Sequence, residues 1–165
     1  MILYPKALLK NVREITIEFI KNNKLKALIL DLDNTLIDYD RNLPQETINW
    51  AKQLQGQGVK LYILSNTNKI EKVKKVAEQL GKIQYKTFAR KPFKKGFIQI
   101  QKELGMNPSE IGVVGDQIFT DVIGGNRCKM FTILVEPISQ KDIFITAWKR
   151  PIEEMIKNKY KKRVH

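Results

Sequence analysis

Apolar runs that end abruptly in polar clusters constrain the fold of this chain more than any other sequence feature. Residues 25–30 contain Ala-Leu-Ile-Leu and residues 59–64 contain Leu-Tyr-Ile-Leu, without the polar alternation of a half-exposed strand. Such runs are typical of strands in a parallel sheet that helices cover on both faces. Further candidate strands span residues 111–114, 130–135 and 84–88, and we expect the last, which is more polar, at an edge.

Segments with helical periodicity separate these strands. Residues 44–56 begin with proline and end with glycine, a pattern that favours a helix between them. Asn68, with Glu71 three residues later, resembles a capping box that opens a second helix. Apolar residues recur at helical spacing over residues 97–104, and Gly105 marks the end of that helix.

The alternation of strands and helices predicts one domain that spans residues 1–165. We expect a doubly wound, Rossmann-like α/β fold whose parallel sheet of about five strands is flanked by helices. The single cysteine, Cys128, cannot form an internal disulfide, which favours a reducing compartment. We therefore expect a cytoplasmic protein.

The balance of charge indicates which partners the surface attracts. The chain has 30 Lys and Arg against 17 Asp and Glu, a net charge of +13. Such an excess attracts nucleic acid, anionic lipid or phosphorylated substrates. Basic residues concentrate in residues 86–95 and in a segment of about residues 146–165, for which we expect a basic helix or tail. We expect no aromatic stacking platform among these runs and so do not favour nucleic acid.

Polar side chains follow three of the predicted strands at the point where each strand ends. Asp31 and Asp33 follow the first, Ser65 follows the second, and Asp116 follows the strand at residues 111–114. Ligands of open α/β sheets bind beyond the carboxyl ends of the strands, so these side chains are expected to converge. Three carboxylates repel one another unless a cation joins them, and all-oxygen ligands suit Mg²⁺. Lys91 and Ser65 offer donors for a phosphate.

The same residues resemble the four motifs of the haloacid dehalogenase superfamily. The sequence Asp31-Leu32-Asp33-Asn34-Thr35-Leu36 resembles the first motif and Ser65 the second; Lys91, in Arg90-Lys91-Pro92, resembles the third, and Gly115-Asp116-Gln117-Ile118-Phe119-Thr120-Asp121 the fourth. Their order and spacing agree with the family over about residues 25–135. The resemblance implies a phosphatase.

Catalytic roles follow from this resemblance. It implies that Asp31 attacks phosphorus and forms an aspartyl-phosphate, while Asp33 acts as general acid and then as general base. It also implies one Mg²⁺ ion, bound by Asp31, by the backbone carbonyl of Asp33 and by Asp116.

The resemblance assigns supporting roles as well. Ser65, the backbone amide of Asn66 and the ammonium of Lys91 are expected to bind the phosphoryl oxygens. Asp121 is expected to orient Lys91 or the water shell of the metal. Thr35 is expected to buttress the loop that carries the nucleophile.

Substrate selectivity in this superfamily usually comes from a cap domain inserted between the motifs. Residues 34–64 and 66–90 leave no room for a cap beyond the helices and strands already predicted there, so we expect an open site. Asp33-Asn34-Thr35-Leu36, Arg90-Lys91-Pro92 and Gly124-Gly125-Asn126 resemble the capless subclass IIIA, in its bacterial branch. That branch is similar to the mitochondrial phosphatidylglycerophosphate phosphatases of phosphatidylglycerol synthesis.

A lipid substrate would bring this protein to the inner face of a membrane, where its basic segments are expected to make peripheral contact with anionic lipid. Two alternative functions stay open. One is a soluble phosphatase of nucleotides, sugar phosphates or nucleic-acid ends. The other is a basic nucleic-acid-binding or ribosome-associated module.

Overall fold

A computed structural model describes residues 2–139, 154, 157–159 and 161 of the chain. The strands are Ala7–Leu9 (β1), Ala27–Leu30 (β2), Lys60–Leu64 (β3), Gln84–Lys86 (β4), Ile111–Gly115 (β5) and Phe131–Val135 (β6). The helices are Ile17–Asn22 (α1), Gln45–Gly56 (α2), Ile70–Gln79 (α3), Lys95–Leu104 (α4) and Ile123–Arg127 (α5). Short 3₁₀ turns lie at Val12–Glu14 and Pro108–Glu110, and a π-helical turn lies at Ile118–Val122.

All neighbouring strands are parallel, in the order β1-β6-β5-β2-β3-β4. The central strand β2 is buried on both faces. Leu28 and Leu30 pack into one apolar cluster with residues of α2 and α3, whereas Ala27 and Ile29 pack into the opposite cluster with residues of α4. Because successive side chains of a strand point to opposite faces, a continuous apolar run supplies both cores at once. The predicted doubly wound α/β fold is confirmed.

The sheet has six strands where the sequence predicted about five. The additional strand, β1, is a half-buried segment of three residues at the edge beside β6, too short to give a periodic signal. The predicted edge position of β4 is correct. The predicted capping box is wrong, because α3 begins at Ile70, after the N-cap residue Lys69, and no side chain caps it. The basic segment predicted for about residues 146–165 falls mostly outside the described residues.

The topology places a crevice at the carboxyl ends of β2 and β5. From β2 the chain builds β3 and β4 outward on one side, then returns through α4 to add β5 on the other side. Ligands of doubly wound sheets bind at such a reversal of strand order. The backbone N–H of Asp31 donates to the carbonyl of Val114 at 2.9 Å, so the two strands stay paired up to the site.

No inserted domain separates the strands of the described stretch 2–139. The connection from β2 to β3 contains only α2, and the connection from β3 to β4 contains only α3. The carboxyl edge of the sheet is therefore left without a cap in this part of the chain. Among the described residues, no helix combines the length and the apolar character needed to cross a bilayer.

Phe97 offers a test of the packing that fixes α4 under the site. The ring is fully buried, and a Cβ placed at Gly124 would lie 2.4 Å from its Cε2 atom, so the packing is tight. Phe97→Ala should lower the free energy of unfolding by about 3–5 kcal/mol, measured by urea denaturation. The control Phe93→Ala removes a ring that is 63% exposed and should cost no more than about 0.5 kcal/mol. Equal losses for both variants would contradict the core position of Phe97.

Candidate active site

Loops that follow β2, β3, β4 and β5 enclose a crevice of about 120 Å³. Its lining residues are Asp31, Asp33, Ser65, Asn66, Thr67, Lys91, Gln117 and Thr120. Asp116 lies directly behind it, 1% exposed. The structure therefore brings residues of all four sequence motifs to one place, although they span residues 31–121 of the chain.

The buried ammonium of Lys91 joins two of the loops. Its Nζ lies 2.9 Å from Oδ1 of Asp31 and 2.8 Å from Oδ1 of Asp121. Burial by itself lowers the pKa of Lys91, but the charges of Asp121 and Asp31 outweigh it and leave this pKa raised. Lys91 is therefore a permanent cation that orients the carboxylate of Asp31.

Three carboxylates cluster here, and two of them contact this cation. Asp31, Asp116 and Asp121 each place one oxygen within 4.8 Å of the others. Burial, together with the charge of Asp31, raises the pKa of Asp121 to about 7, even though Lys91 acts in the opposite direction. Three carboxylates and one ammonium leave two negative charges when all are ionised. That charge and the all-oxygen donor set fit a divalent cation such as Mg²⁺.

Asp33 stands apart from this cluster. Its side chain is 55% exposed, and its Oδ1 lies 2.8 Å from Nζ of Lys72, whose own side chain is only 11% exposed. The carboxylate thus lies at the mouth of the crevice, where a leaving group would depart. No local pattern singles out Lys72 in the sequence, since α3 also carries Lys74 and Lys75 and only the packing selects which lysine faces the site.

Ser65 and Asn66 lie where the sequence predicted a phosphate site. Ser65 is buried, and its Oγ accepts the backbone N–H of Thr67 at 3.2 Å, which leaves its own O–H hydrogen for a ligand. The Asn66 side chain has a function that the sequence did not predict. Its Oδ1 accepts the backbone N–H of Lys91 at 2.7 Å, and its Nδ2 donates to the Lys91 carbonyl at 3.3 Å. Asn66 therefore clamps the loop that delivers Lys91.

The loop that carries Asp31 is fastened at two further points. The Thr35 hydroxyl donates to Oδ1 of Asp116 at 3.2 Å, so it links the loop after β2 to the loop after β5. Asn34 adopts a left-handed conformation at φ 62°, which asparagine tolerates better than most residues. Its side-chain Oδ1 accepts the backbone N–H of Ser139 at 3.1 Å, which ties the loop to the segment after β6.

Gly115 is a positioning residue that sequence reasoning missed. A Cβ at this residue would lie 2.1 Å from Oδ2 of Asp121, so only glycine lets that carboxylate approach Lys91. Asp121 is carried by the π-helical turn Ile118–Val122, and such turns are frequent at functional sites. The Gly-Asp pair at the end of an apolar strand was visible in the sequence, but the close approach required the fold.

Comparisons with known proteins agree with this geometry. Residues 1–139 match the family model described as mitochondrial PGP (phosphatidylglycerophosphate) phosphatase. The chain is 39% identical to the probable phosphatase YqeG of Bacillus subtilis, over 98% of this chain and 93% of that protein. It is 27% identical to phosphatidylglycerophosphate phosphatase 1 of Arabidopsis thaliana, over 90% of this chain but only 45% of the plant protein.

Solved structures share the fold. A subfamily III A hydrolase of the HAD (haloacid dehalogenase) superfamily from Legionella pneumophila superposes with a TM-score of 0.50 at 25% identity, over 61% of this chain and 63% of that one. A HAD-like hydrolase from Porphyromonas gingivalis gives a TM-score of 0.57 at 13% identity, over 77% and 98% of the two chains. With its four motifs gathered at an uncapped sheet edge, this chain is a phosphatase that belongs to the mitochondrial PGP phosphatase family of the haloacid dehalogenase superfamily.

Proposed function

We propose that this phosphatase hydrolyses phosphatidylglycerophosphate with Mg²⁺, through an aspartyl-phosphate on Asp31. One observation carries the proposed chemistry: the Asp31 carboxylate lies at an open crevice, 2.9 Å from a buried ammonium and beside the buried Asp116. A carboxylate so held is oriented for attack, since it does not have to be aligned during the reaction.

In the first step, a carboxylate oxygen of Asp31 forms a bond to phosphorus. The bond from phosphorus to the ester oxygen breaks, and that oxygen leaves with the electron pair and takes a proton from Asp33. The position of Asp33 at the mouth of the crevice suits this transfer, because the leaving group departs toward solvent. The phosphoryl oxygens are proposed to be held by the hydroxyl of Ser65, the backbone amide of Asn66 and the ammonium of Lys91.

In the second step, a water molecule attacks the phosphorus of the aspartyl-phosphate. Asp33 accepts a proton from this water, the bond from phosphorus to the Asp31 oxygen breaks, and inorganic phosphate is released. Asp31 regains its carboxylate and Asp33 its proton. Lys91 stays charged throughout and offsets part of the negative charge that gathers at the site.

The metal would be held by Asp31, by the backbone carbonyl of Asp33 and by Asp116. When bound, Mg²⁺ would neutralise charge on the nucleophile and on the phosphoryl oxygens. Asp121 would act through Lys91, to which it is bound at 2.8 Å. Thr35 would hold Asp116 in place through its hydroxyl.

Three features support a lipid phosphate as substrate. The matching family model and the plant relative both carry the name of phosphatidylglycerophosphate phosphatase. The sheet edge has no cap in the described stretch 2–139, so a phosphate at a membrane surface can reach it. The net charge of +13 favours approach to an anionic surface, and peripheral contact at the inner face of the membrane is part of this proposal.

Asp31→Asn should abolish hydrolysis of a generic aryl phosphate, because an amide is neither charged nor nucleophilic. We expect a fall in kcat of about 10³-fold or more, with an unchanged circular dichroism spectrum. The matched control is Asp40→Asn, an exposed aspartate of the same connection that does not line the crevice, and it should retain the wild-type rate. Wild-type turnover by Asp31→Asn would refute the assignment of the nucleophile.

Asp116→Ala should weaken metal binding, since it removes a buried oxygen donor from the cluster. The Mg²⁺ concentration for half-maximal activity should rise by about tenfold or more, and EDTA should silence the wild type reversibly. Mg²⁺ should also raise the melting temperature of the wild-type protein but not that of the variant. Full activity of the wild type in excess EDTA would contradict a metal-dependent mechanism.

A substrate panel tests the lipid assignment. Phosphatidylglycerophosphate in detergent micelles should be hydrolysed with a kcat/KM that exceeds those for nucleotides, sugar phosphates and 5′-phosphorylated DNA by about tenfold or more. Phosphate release from each compound provides the measurement, with Asp31→Asn as the blank. A preference for nucleotides or DNA ends would replace the lipid substrate with the soluble alternative while leaving the chemistry intact.

A further inference from the structure

Exposed large apolar side chains concentrate at the carboxyl ends of the strands, the side of the sheet that carries the site. Six such side chains are exposed among the described residues: Ile2, Tyr39, Ile70, Phe88, Phe93 and Ile138. All except Ile2 lie in segments that directly follow the carboxyl ends of strands. Because the strands are parallel, those segments meet at the edge where Asp31 and Asp116 lie. The carboxyl ends of the strands, where the crevice lies, therefore carry most of the exposed large apolar groups of the described residues.

The two most exposed of these side chains flank the catalytic lysine. Phe88 is 58% exposed and Phe93 is 63% exposed, and both belong to the connection from β4 to α4 that delivers Lys91. They border an open groove of about 720 Å³, to which Lys86, Arg90 and Lys95 also contribute. The rings thus lie beside the crevice, on the same loop as one of its charged groups.

The backbone holds Phe88 in its exposed position. Its N–H donates to the carbonyl of Thr67 at 3.1 Å, and the N–H of Ala89 donates to the carbonyl of Ser65 at 3.1 Å. Phe88 and Arg90 both adopt left-handed conformations at φ 54°, which residues with a Cβ adopt at a cost. Hydrogen bonds to the loop after β3 therefore maintain a strained turn that keeps an apolar ring in water, and such strain is often retained for function.

Uncompensated positive charge surrounds the two rings. No acidic residue occurs from residue 84 to residue 102, and the next one, Glu103, pairs with Lys86 at 2.9 Å. Arg90, Lys94 and Lys95 form no ion pair with any residue that the structure describes. The expectation that aromatic residues do not interleave with the basic runs is wrong for this segment, because Phe88 and Phe93 alternate with basic residues and remain exposed.

We propose that Phe88, Arg90, Phe93, Lys94 and Lys95 form a docking face that rests on an anionic lipid bilayer. The rings enter the headgroup region, the basic side chains pair with lipid phosphates, and the crevice then opens onto the membrane surface. This inference rests on the proposed lipid-phosphate function, which it deepens by naming the surface that reaches the substrate.

A lipid surface fits this face better than single-stranded nucleic acid does. Bases stack on aromatic rings, but aliphatic side chains offer no such platform. Ile70 and Ile138 share the edge with the two rings and are 47% and 44% exposed. A bilayer accepts aliphatic and aromatic side chains alike, with basic groups at the level of the phosphates.

The C-terminal basic segment is a weaker candidate for the same contact. Within it, Lys157 is buried and pairs with Glu154 at 3.3 Å, whereas Lys159 and Lys161 are exposed. The docking face, in contrast, is joined to the crevice through Lys91 itself.

Flotation with vesicles of phosphatidylcholine, alone or mixed with phosphatidylglycerol, tests the docking face without any need for turnover. The full-length double variant Phe88→Ser/Phe93→Ser should partition onto the anionic vesicles about tenfold less than the wild type. The triple variant Arg90→Gln/Lys94→Gln/Lys95→Gln should lose the preference for anionic over neutral vesicles, and with it the salt dependence of binding. Melting temperatures confirm that each variant is folded.

Matched controls remove the same chemistry elsewhere. Ile2→Ser removes an exposed apolar side chain away from the docking face, and Lys52→Gln/Lys74→Gln/Lys75→Gln removes three exposed charges of helices α2 and α3. Ile2→Ser should bind anionic vesicles more tightly than the ring variant. The triple lysine control should likewise bind them more tightly than the triple variant of the docking face. Vesicle binding by the ring variant at the wild-type level would overturn the proposal. So would an equal loss in variant and control, or binding of single-stranded DNA in place of vesicles.

Hydrolysis of micellar phosphatidylglycerophosphate separates failure of the docking face from failure of the proposed function. The ring variant should retain the micellar rate, because detergent delivers the substrate without a bilayer. Intact micellar hydrolysis with normal vesicle binding by the ring variant would overturn the docking face alone. The opposite outcome is also possible: the wild type binds vesicles through its rings but does not hydrolyse micellar phosphatidylglycerophosphate. That result would overturn the proposed substrate and leave the docking face in place.

Discussion

The pairing of one buried ammonium with two carboxylates is the interaction on which the rest of this site depends. Lys91 reaches Asp31 and Asp121 from a different loop, and both contacts are shorter than 3 Å. A buried charge without such partners is strongly unfavourable. The two ion pairs of Lys91 therefore fix the relative positions of the three loops. The Asn66 clamp and the absence of a Cβ at Gly115 serve this pairing, since each brings one partner to its place.

The same pairing gathers several carboxylates in a small volume. One ammonium is shared between Asp31 and Asp121, and Asp116 adds a third carboxylate behind them. The pKa of Asp121 rises to about 7, because burial and the nearby charge of Asp31 raise it more than the charge of Lys91 lowers it. When all are ionised, these three carboxylates and one ammonium carry two negative charges, which a bound divalent cation would offset.

The sequence predicted those parts of the structure that depend on local pattern and on topology. Strands β2 and β3 were visible as apolar runs, and the parallel arrangement alone predicted that Asp31 and Asp116 converge. Features that depend on tertiary contact were not visible. No local pattern distinguishes Lys72, which pairs with Asp33, from its neighbours on α3. The sequence predicted Phe88 as the end of a strand, yet β4 ends at Lys86 and Phe88 itself adopts a left-handed conformation, with its ring exposed.

Because the described stretch carries no cap, the proposed chemistry and the proposed surface recognition fall on the same loops. In a capped enzyme, an inserted domain can bind the substrate while the sheet edge supplies the reactive groups. Here the described stretch between β2 and β4 contains only α2 and α3, so within this stretch only the loops at the carboxyl ends of the strands are available to contact a substrate. The connection from β4 to α4 contributes both to the crevice and to the outer surface, since Lys91 lines the crevice while Phe88 and Phe93 are exposed. Hydrogen bonds from this connection to Thr67 and Ser65 fix the outward rings relative to the inward lysine. A membrane surface that contacts the rings would thereby lie at a defined distance from Asp31.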